Sequence, residues 1–134
     1  MNVTHSIRLR GPWEVSVLDA PGPIAQLHPT RMPCPCTWRD GGWPDFHGRA
    51  LHVRRFGWPT QLDADERVWL VIESSKASLN LELNGSRLAS APPGSTIETD
   101  VTELLRERNE LLIEVTGNNA DCGLTGEVRL EIRT

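Results

Sequence analysis

The sequence predicts an all-β fold, with about eight strands in two antiparallel sheets packed as a sandwich and one short helical turn. Apolar and polar residues alternate in many segments, which places alternate side chains on opposite faces of a strand. The ten prolines and eleven glycines interrupt the chain often, and turn signals recur at short intervals. A length of 134 residues fits one domain, 1–134, and is sufficient to bury a core.

The N-terminal third of the chain combines clear strands with an irregular stretch. Ile7 and Leu9 alternate with polar neighbours, and a second alternating segment begins at Trp13, after the turn signal Gly11-Pro12. Residues 20–48 then contain six prolines, which lack the N–H that a central strand needs. We therefore expect residues 20–48 to form a Pro-rich loop region with one or two short edge strands.

The pattern becomes sharper after residue 50. Residues 67–74 are almost continuously apolar, as in a strand that is covered on both faces. Asn84-Gly85 is a strong hairpin signal, because both residue types tolerate a positive φ. Asp100 and Glu103 have the spacing of a helix capping box, which predicts a helical turn over 101–106. The predicted strands in this part of the chain lie at residues 50–56, 67–74, 79–83, 87–89, 111–115 and 128–133.

Charge and hydropathy exclude several classes of partner. The net charge of −4 and the pI of about 5.5 argue against a nucleic-acid surface, which needs a basic patch. No apolar run is long enough to span a membrane, and the first residues lack the apolar segment of a signal peptide. We therefore expect a cytoplasmic protein without nucleic-acid or membrane partners.

An ordered series of short motifs follows residue 50. These motifs are Val53-Arg54-Arg55-Phe56, Val68-Trp69-Leu70-Val71-Ile72, Leu83-Asn84-Gly85, Asp100-Val101-Thr102 with Leu104-Leu105, and Asn109-Glu110-Leu111-Leu112-Ile113-Glu114-Val115. In this order they resemble the sugar-binding domain of family 2 glycoside hydrolases, the family of β-galactosidases and β-glucuronidases. Gly11-Pro12-Trp13 and the run at 123–130 are similar to the start and the closing strand of that domain.

This resemblance implies a jelly-roll β-sandwich with Greek-key connections, of the galactose-binding-like group. In those enzymes the catalytic carboxylates lie on a barrel that typically needs about 250 residues, so none of them is carried over to this chain. No Gly-x-Ser-x-Gly, His-Glu-x-x-His or phosphate-loop motif is present, and acidic residues mostly occupy polar strand positions. We therefore predict that the chain is not an enzyme.

The leading functional hypothesis is a non-catalytic carbohydrate-binding module. The alternative is a protein–protein interaction or scaffolding domain, in which exposed tryptophans contact another chain. A third possibility is a remnant of a larger enzyme that retains no ligand. The expected partner is thus a carbohydrate or another protein chain.

The first candidate site consists of tryptophans in and beside the Pro-rich loop, namely Trp38, Trp43 and Trp58. An indole ring stacks well on a sugar, and His47 lies near these residues in sequence as a polar partner. Packing of the same rings under the loop is the alternative. Trp13 and Trp69 lie on strongly patterned strands, so we predict that both belong to the core.

The second candidate site is the loop that contains Asn118, Asn119 and Asp121. Their oxygens suit sugar hydroxyls or a calcium ion. An ordinary turn is the favoured alternative, because Gly-Asn-Asn is typical turn chemistry.

The cysteines are a weaker candidate. Only one residue separates Cys34 from Cys36, whereas paired ligands of structural zinc sites are usually separated by two to four. An odd count of three also fits no complete disulfide set. We therefore predict no metal and no cofactor, and leave open whether Cys122 approaches Cys34 and Cys36.

Overall fold

The computed structural model describes residues 2–58 and 61–134 of the chain. The described residues form ten strands and two single turns of 3₁₀ helix, at Gly22–Gln26 and Thr102–Leu104. The strands are β1 (Val3–Arg8), β2 (Trp13–Asp19), β3 (Thr30–Met32), β4 (Gly48–Gly57), β5 (Arg67–Ile72), β6 (Ser78–Leu83), β7 (Ser86–Ala91), β8 (Ile97–Asp100), β9 (Arg108–Gly117) and β10 (Val128–Arg133).

The strands pair into two antiparallel sheets, which confirms the predicted all-β sandwich. Sheet A has four strands in the order β1-β10-β5-β8, and sheet B has six in the order β3-β2-β4-β9-β6-β7. The longest pairing joins β4 to β9 over ten residue pairs, from Gly48 opposite Gly117 to Gly57 opposite Arg108. No helix in the described residues is long and apolar enough to cross a membrane.

The core follows from the alternation in the sequence. On β9 the buried positions are Leu111, Ile113 and Val115, whereas the residues between them are partly exposed. Leu70 of β5 and Leu130 of β10 face them from sheet A and belong to the same hydrophobic cluster. The 3.6-residue period of a helix would not place these residues on one side, so the pattern specifies strands.

Trp69 differs from the prediction, because it lies on the outer face of sheet A and is only partly buried. The guanidinium of Arg133 covers its ring, with 4.7 Å from Cζ to the ring centroid. Val71, on the same face, is also buried. Arginine side chains thus help to shield an apolar strand that no second protein layer covers within the described residues.

The predicted capping box is not formed, because the 3₁₀ turn has Val101 instead of Asp100 at its N-cap and no side-chain capping bond. The Asp100 carboxylate accepts hydrogen bonds from the Thr102 backbone N–H at 3.0 Å and from the Thr102 hydroxyl at 2.7 Å. Glu103 does not reach back; it forms an ion pair with Arg67 at 2.7 Å, because β5 brings that arginine alongside. The helical structure is correspondingly short, three residues instead of six.

The Pro-rich region is ordered. It contains the edge strand β3, as the prolines predict, and also one 3₁₀ turn, which they do not predict. The strands β3 and β8 account for the count of ten strands instead of eight. Further along, the backbone N–H groups of Cys36, Trp38 and Arg39 donate hydrogen bonds to the backbone carbonyls of Leu124, Cys122 and Ala120, respectively. The region is therefore attached to residues 118–127 and lies across one end of the sandwich.

Candidate functional site

The loops of the sandwich that are considered as sites lie at two opposite ends of sheet B. Strand β4 starts at Gly48, directly after the Pro-rich region, and ends at Gly57. At about 3.3 Å per residue its ends are roughly 30 Å apart. We refer to the end formed by residues 33–47 and 118–127 as the closed end, and to the end near Gly57 and the Asn84-Gly85 hairpin as the open end.

Aromatic rings fill the closed end. The rings of Trp38 and Phe46 pack edge to face with centroids 4.6 Å apart, and the ring of Trp43 lies 4.9 Å from that of Phe46. Trp38 is 0% and Trp43 is 3% exposed. A Cβ added at Gly117 would lie 2.4 Å from the Cβ of Cys122 and 3.0 Å from the ring of Trp38, so the chain is tightly packed here.

The polar edge of Trp38 is satisfied internally. Its Nε1–H donates to Nε2 of His52 at 3.2 Å. His52 is 2% exposed, and burial lowers the pKa of its imidazole to about 3. The ring is therefore neutral at ordinary pH and serves as an acceptor.

Trp58 is also buried, at 9% exposure, and it lies at the other end of β4. The three tryptophans therefore do not converge on a concave surface. Their ring faces pack against the core, which is the alternative that the sequence left open, and none of them presents the exposed face that sugar stacking requires. The exposed tryptophan patch of the scaffolding hypothesis is absent for the same reason.

The predicted polar loop at the closed end is exposed and hydrogen-bonded within itself. Asn119 Oδ1 accepts from the Asp121 N–H at 2.9 Å, and its Nδ2 donates to Asn118 Oδ1 at 3.2 Å. Asp121 also pairs with Arg39 at 3.0 Å. These contacts describe a side-chain-stabilised turn. His47 is exposed near the start of β4, and ligand binding by these four residues stays a prediction.

The three cysteines are free thiols. The Cys34 Sγ lies 3.4 Å from the carbonyl oxygen of Gly126, whereas the Cys122 Sγ lies 3.9 Å from that of Lys76. Burial raises the pKa of Cys34 to about 12, so its thiol stays protonated. Among the residues that the structure describes, no group of three His, Cys, Asp or Glu side chains is placed to hold a metal ion.

The open end contains a cavity of about 610 Å³, which we call the arginine cleft. It lies where β4, the Asn84-Gly85 hairpin and the segment before β9 meet, and its volume is within the usual range for small-molecule sites. The side chains that give it chemical character are Arg55, Phe56, Asn84, Arg106, Arg108 and Glu110.

Two asparagines form the base of the cleft. Asn84 donates to Asn109 Oδ1 at 2.9 Å and to the carbonyl of Leu104 at 2.8 Å, while its Oδ1 accepts from the Glu110 N–H at 2.9 Å. Asn84 has a φ of 51°, which asparagine adopts more readily than most residues. The side-chain amide of Asn84, in the turn of the hairpin, therefore holds the start of β9 in place.

Asn109 completes this network from the buried side, at 3% exposure. Its Oδ1 accepts from the Arg106 N–H at 2.9 Å and its Nδ2 donates to the Arg106 carbonyl at 2.8 Å. A further bond of 3.3 Å reaches the carbonyl of Phe56 on β4. One side chain thus joins three elements that border the cleft.

The charge of the cleft is unbalanced. Arg55 is bound by Glu14 at 3.2 Å and by Glu110 at 3.0 Å, and the hydrogen bond and charge of Glu14 are the main causes of its raised pKa. Arg106 and Arg108 are exposed, and neither has an ion-pair partner among the described residues.

Sequence reasoning missed this site. Arg55 comes from β4, whereas Arg106 and Arg108 come from the segment before β9 and from its first residue, about fifty residues further along the sequence. Asn84-Gly85 by itself indicates only a hairpin. The available signal was the pair Arg106 and Arg108, which stands next to a motif of the family resemblance.

The outer face of sheet B carries a second, shallower depression of about 360 Å³. Leu18, Leu51 and Leu112 contribute its apolar part, and Leu18 is 44% exposed. Charged residues of both signs, including Glu82, Arg87 and Glu114, border it.

Comparison with solved structures gives matches across almost the whole chain. An FMN-binding β-glucuronidase from Faecalibacterium prausnitzii L2-6 matches 98% of this chain with a TM-score of 0.78 and 22% identity. The β-glucuronidase of Bifidobacterium dentium, solved with coumarin-3-O-glucuronide, matches 98% with a TM-score of 0.78 and 18% identity. A putative β-galactosidase from Bacteroides fragilis matches 98% with a TM-score of 0.76 and 14% identity.

These matches cover 23%, 30% and 23% of the respective enzymes, so the chain spans about a quarter of the length of such proteins. At these identities the matches establish a shared fold. Neither a family profile nor a curated protein matches the sequence itself.

Proposed function

We propose that this chain is a non-catalytic carbohydrate-binding domain related to the sugar-binding domain of family 2 glycoside hydrolases. The observation that carries the proposal is the end-to-end match of its fold to one part of β-glucuronidases and a putative β-galactosidase. The arginine cleft would offer a carbohydrate ligand both polar groups and an aromatic edge.

The chemistry of the cleft suits binding better than hydrolysis. Glycoside hydrolysis typically uses two carboxyl groups, about 5 to 10 Å apart, on either side of the scissile bond. Among the residues that line the arginine cleft, Glu110 is the one carboxylate, and Arg55 holds it in an ion pair at 3.0 Å. The cleft therefore has hydrogen-bond donors for a sugar but lacks a second acid or base.

Isothermal titration against a panel of mono- and oligosaccharides tests this proposal. We expect binding that weakens at least tenfold in Arg108→Ala, because that guanidinium lines the cleft and has no ion-pair partner among the described residues. Lys76→Ala is the matched control, since it removes the same charge from an exposed position in the loop between β5 and β6. Failure of every saccharide to bind would refute the proposal.

A second candidate is self-association through the outer face of sheet B. The observation that favours it is the exposed Leu18, which adjoins Leu51 and Leu112 within a border of both charge signs. A twofold dimer needs such a self-complementary patch. Light scattering of the native chain and of Leu18→Glu distinguishes the candidates: a dimer that Leu18→Glu dissociates supports this second function, whereas a strict monomer excludes it.

A further inference from the structure

We infer that Asn84 is a latent site of covalent modification by deamidation, which the hydrogen bonds of the open end keep closed in the folded chain. The inference concerns the hairpin itself and does not depend on carbohydrate binding. It rests on the chemistry of an Asn-Gly pair, on the contacts of the Asn84 amide and on the groups that a carboxylate would meet in its place.

Asn84-Gly85 is the one Asn-Gly pair in the sequence. In deamidation the deprotonated backbone nitrogen of the following residue attacks Cγ of the asparagine, and the side-chain nitrogen leaves as ammonia. Water then opens the resulting succinimide ring to aspartate or isoaspartate, so neither an oxidant nor a reductant takes part. Glycine permits the attack best, because it has no Cβ beside the nitrogen. Apart from its chain neighbours, no described residue has an atom within 4 Å of where a Cβ of Gly85 would lie.

The folded chain uses the whole Asn84 amide in hydrogen bonds to β9 and the segment before it. Its Nδ2 donates to the carbonyl of Leu104 at 2.8 Å and to Asn109 Oδ1 at 2.9 Å, and its Oδ1 accepts from the Glu110 N–H at 2.9 Å. Attack at Cγ makes this carbon tetrahedral and expels Nδ2. The reaction therefore breaks the planar arrangement on which these three bonds depend.

The turn adds a second restraint. The φ of Asn84 is 51°, and Leu83 pairs with Ser86 across the turn. A planar succinimide ring turns ψ of its asparagine to a negative value, whereas a residue in the left-handed region has a positive ψ. The hairpin must therefore open locally before the ring can close.

A carboxylate in place of the Asn84 amide would weaken the same network. It has no donor, so it would face the Leu104 carbonyl and Asn109 Oδ1 without a hydrogen bond. Asn109 cannot reverse its own amide in response, because its Nδ2 donates to the carbonyls of Arg106 and Phe56. Modification would thus leave the base of the arginine cleft without one of its two asparagine supports.

Mass spectrometry of the full chain during incubation in warm, mildly alkaline buffer tests the inference. Conversion at Asn84 is followed by the mass increase on replacing NH₂ by OH. We expect the folded chain to convert at least about tenfold more slowly than the same chain unfolded in guanidinium chloride, because the reactive state requires local opening. Equal rates in the two states, or no conversion in the unfolded chain, would overturn the inference.

Asn109→Ala tests whether the amide network is the restraint. The variant removes an acceptor of Asn84 Nδ2, so conversion at Asn84 should be about fivefold faster than in the native chain. Asn118→Ala, in the exposed turn of the closed end, is the control and should leave the rate unchanged. If Asn109→Ala does not fold, low guanidinium concentrations on the native chain replace it, and conversion should accelerate before global unfolding begins. Acceleration that only follows global unfolding would overturn the role of the network.

Asn84→Asp reproduces the charge of the product. Its denaturation midpoint should fall below that of the native chain, because two donor bonds are lost. Asn80→Asp is the matched control: Asn80 Oδ1 accepts from the Ser90 hydroxyl, and a carboxylate accepts the same bond. Equal midpoints for the two variants would contradict the predicted effect on the cleft.

Discussion

The loops at the closed end and the loops at the open end of the sandwich serve opposite purposes. At the closed end, Trp38, Trp43 and Phe46 turn inward, and the chain at Gly117 approaches Cys122 too closely for any side chain. At the open end, asparagine amides connect the loops and leave a cavity of about 610 Å³. An irregular segment rich in aromatic residues therefore extends the core, whereas one braced by polar groups can remain hollow.

Aromatic content does not mark a binding surface in this chain. A large ring in a loop gains about as much by burial as one on a strand, since the hydrophobic effect scales with the buried apolar area. The exposed arginines Arg106 and Arg108 form no ion pair among the described residues, so the fold gives these two side chains no structural role.

Replacing the central ring of the closed end should have the largest effect. Trp38→Ala removes a fully buried indole and the donor to His52, so we expect the free energy of unfolding to fall by about 3–5 kcal/mol. Urea denaturation followed by circular dichroism measures the change. Trp69→Ala, which truncates a partly exposed ring on a strand, should cost less; the reverse order would contradict the assignment of Trp38 to the core.

Loss of the asparagine hydrogen-bond network at the open end should have the second-largest effect on stability. Asn109→Ala leaves the backbone groups of Arg106 and Phe56 without partners, which should cost about 2–3 kcal/mol of unfolding free energy. The same denaturation measurement applies. Asn118→Ala at the closed end is the control, because an exposed turn residue should change stability by less than about 0.5 kcal/mol. Equal effects of the two variants would show that the amide network does not support the cleft.

The buried imidazole of the closed end should give stability a pH dependence. The unfolded chain binds a proton on His52 near pH 6.5, whereas the folded chain does so only near pH 3. The free energy of unfolding therefore decreases as pH falls through this window, by about 2 kcal/mol between neutral pH and pH 5. His52→Gln keeps an acceptor for Trp38 but does not titrate. Identical pH profiles for the native chain and this variant would exclude the mechanism.

The free arginines should have the smallest effect on stability. Arg108→Ala is expected to change the free energy of unfolding by less than about 0.5 kcal/mol, because the side chain is exposed and unpaired among the described residues. A loss of ligand affinity in the same variant would then reflect binding rather than folding. A stability loss above about 1 kcal/mol would instead indicate a structural role and weaken the assignment of the cleft.

The motifs that carry the family resemblance prove to be residues that hold the sandwich together. Leu-Asn-Gly at 83–85 and the Asn109 segment meet in one amide–amide hydrogen bond of 2.9 Å. Asp100 and Thr102 close the 3₁₀ turn, and Thr102 also accepts from the Val68 N–H at 2.8 Å. Such motifs specify how the chain folds, so they could predict the architecture while being uninformative about the ligand.

The sequence by itself determined the all-β class, the principal strands, the Asn84-Gly85 hairpin and the ordered core, because these depend on local periodicity and turn chemistry. It left open whether loop tryptophans were exposed, and it assigned Trp69 to the core. Only the tertiary structure decided these points, since burial depends on what another segment places over a ring. It also decided the arginine cleft, whose residues become neighbours when β9 pairs with β4. No local pattern records that pairing, so the pair Arg106 and Arg108 could not by itself indicate where the cleft lies.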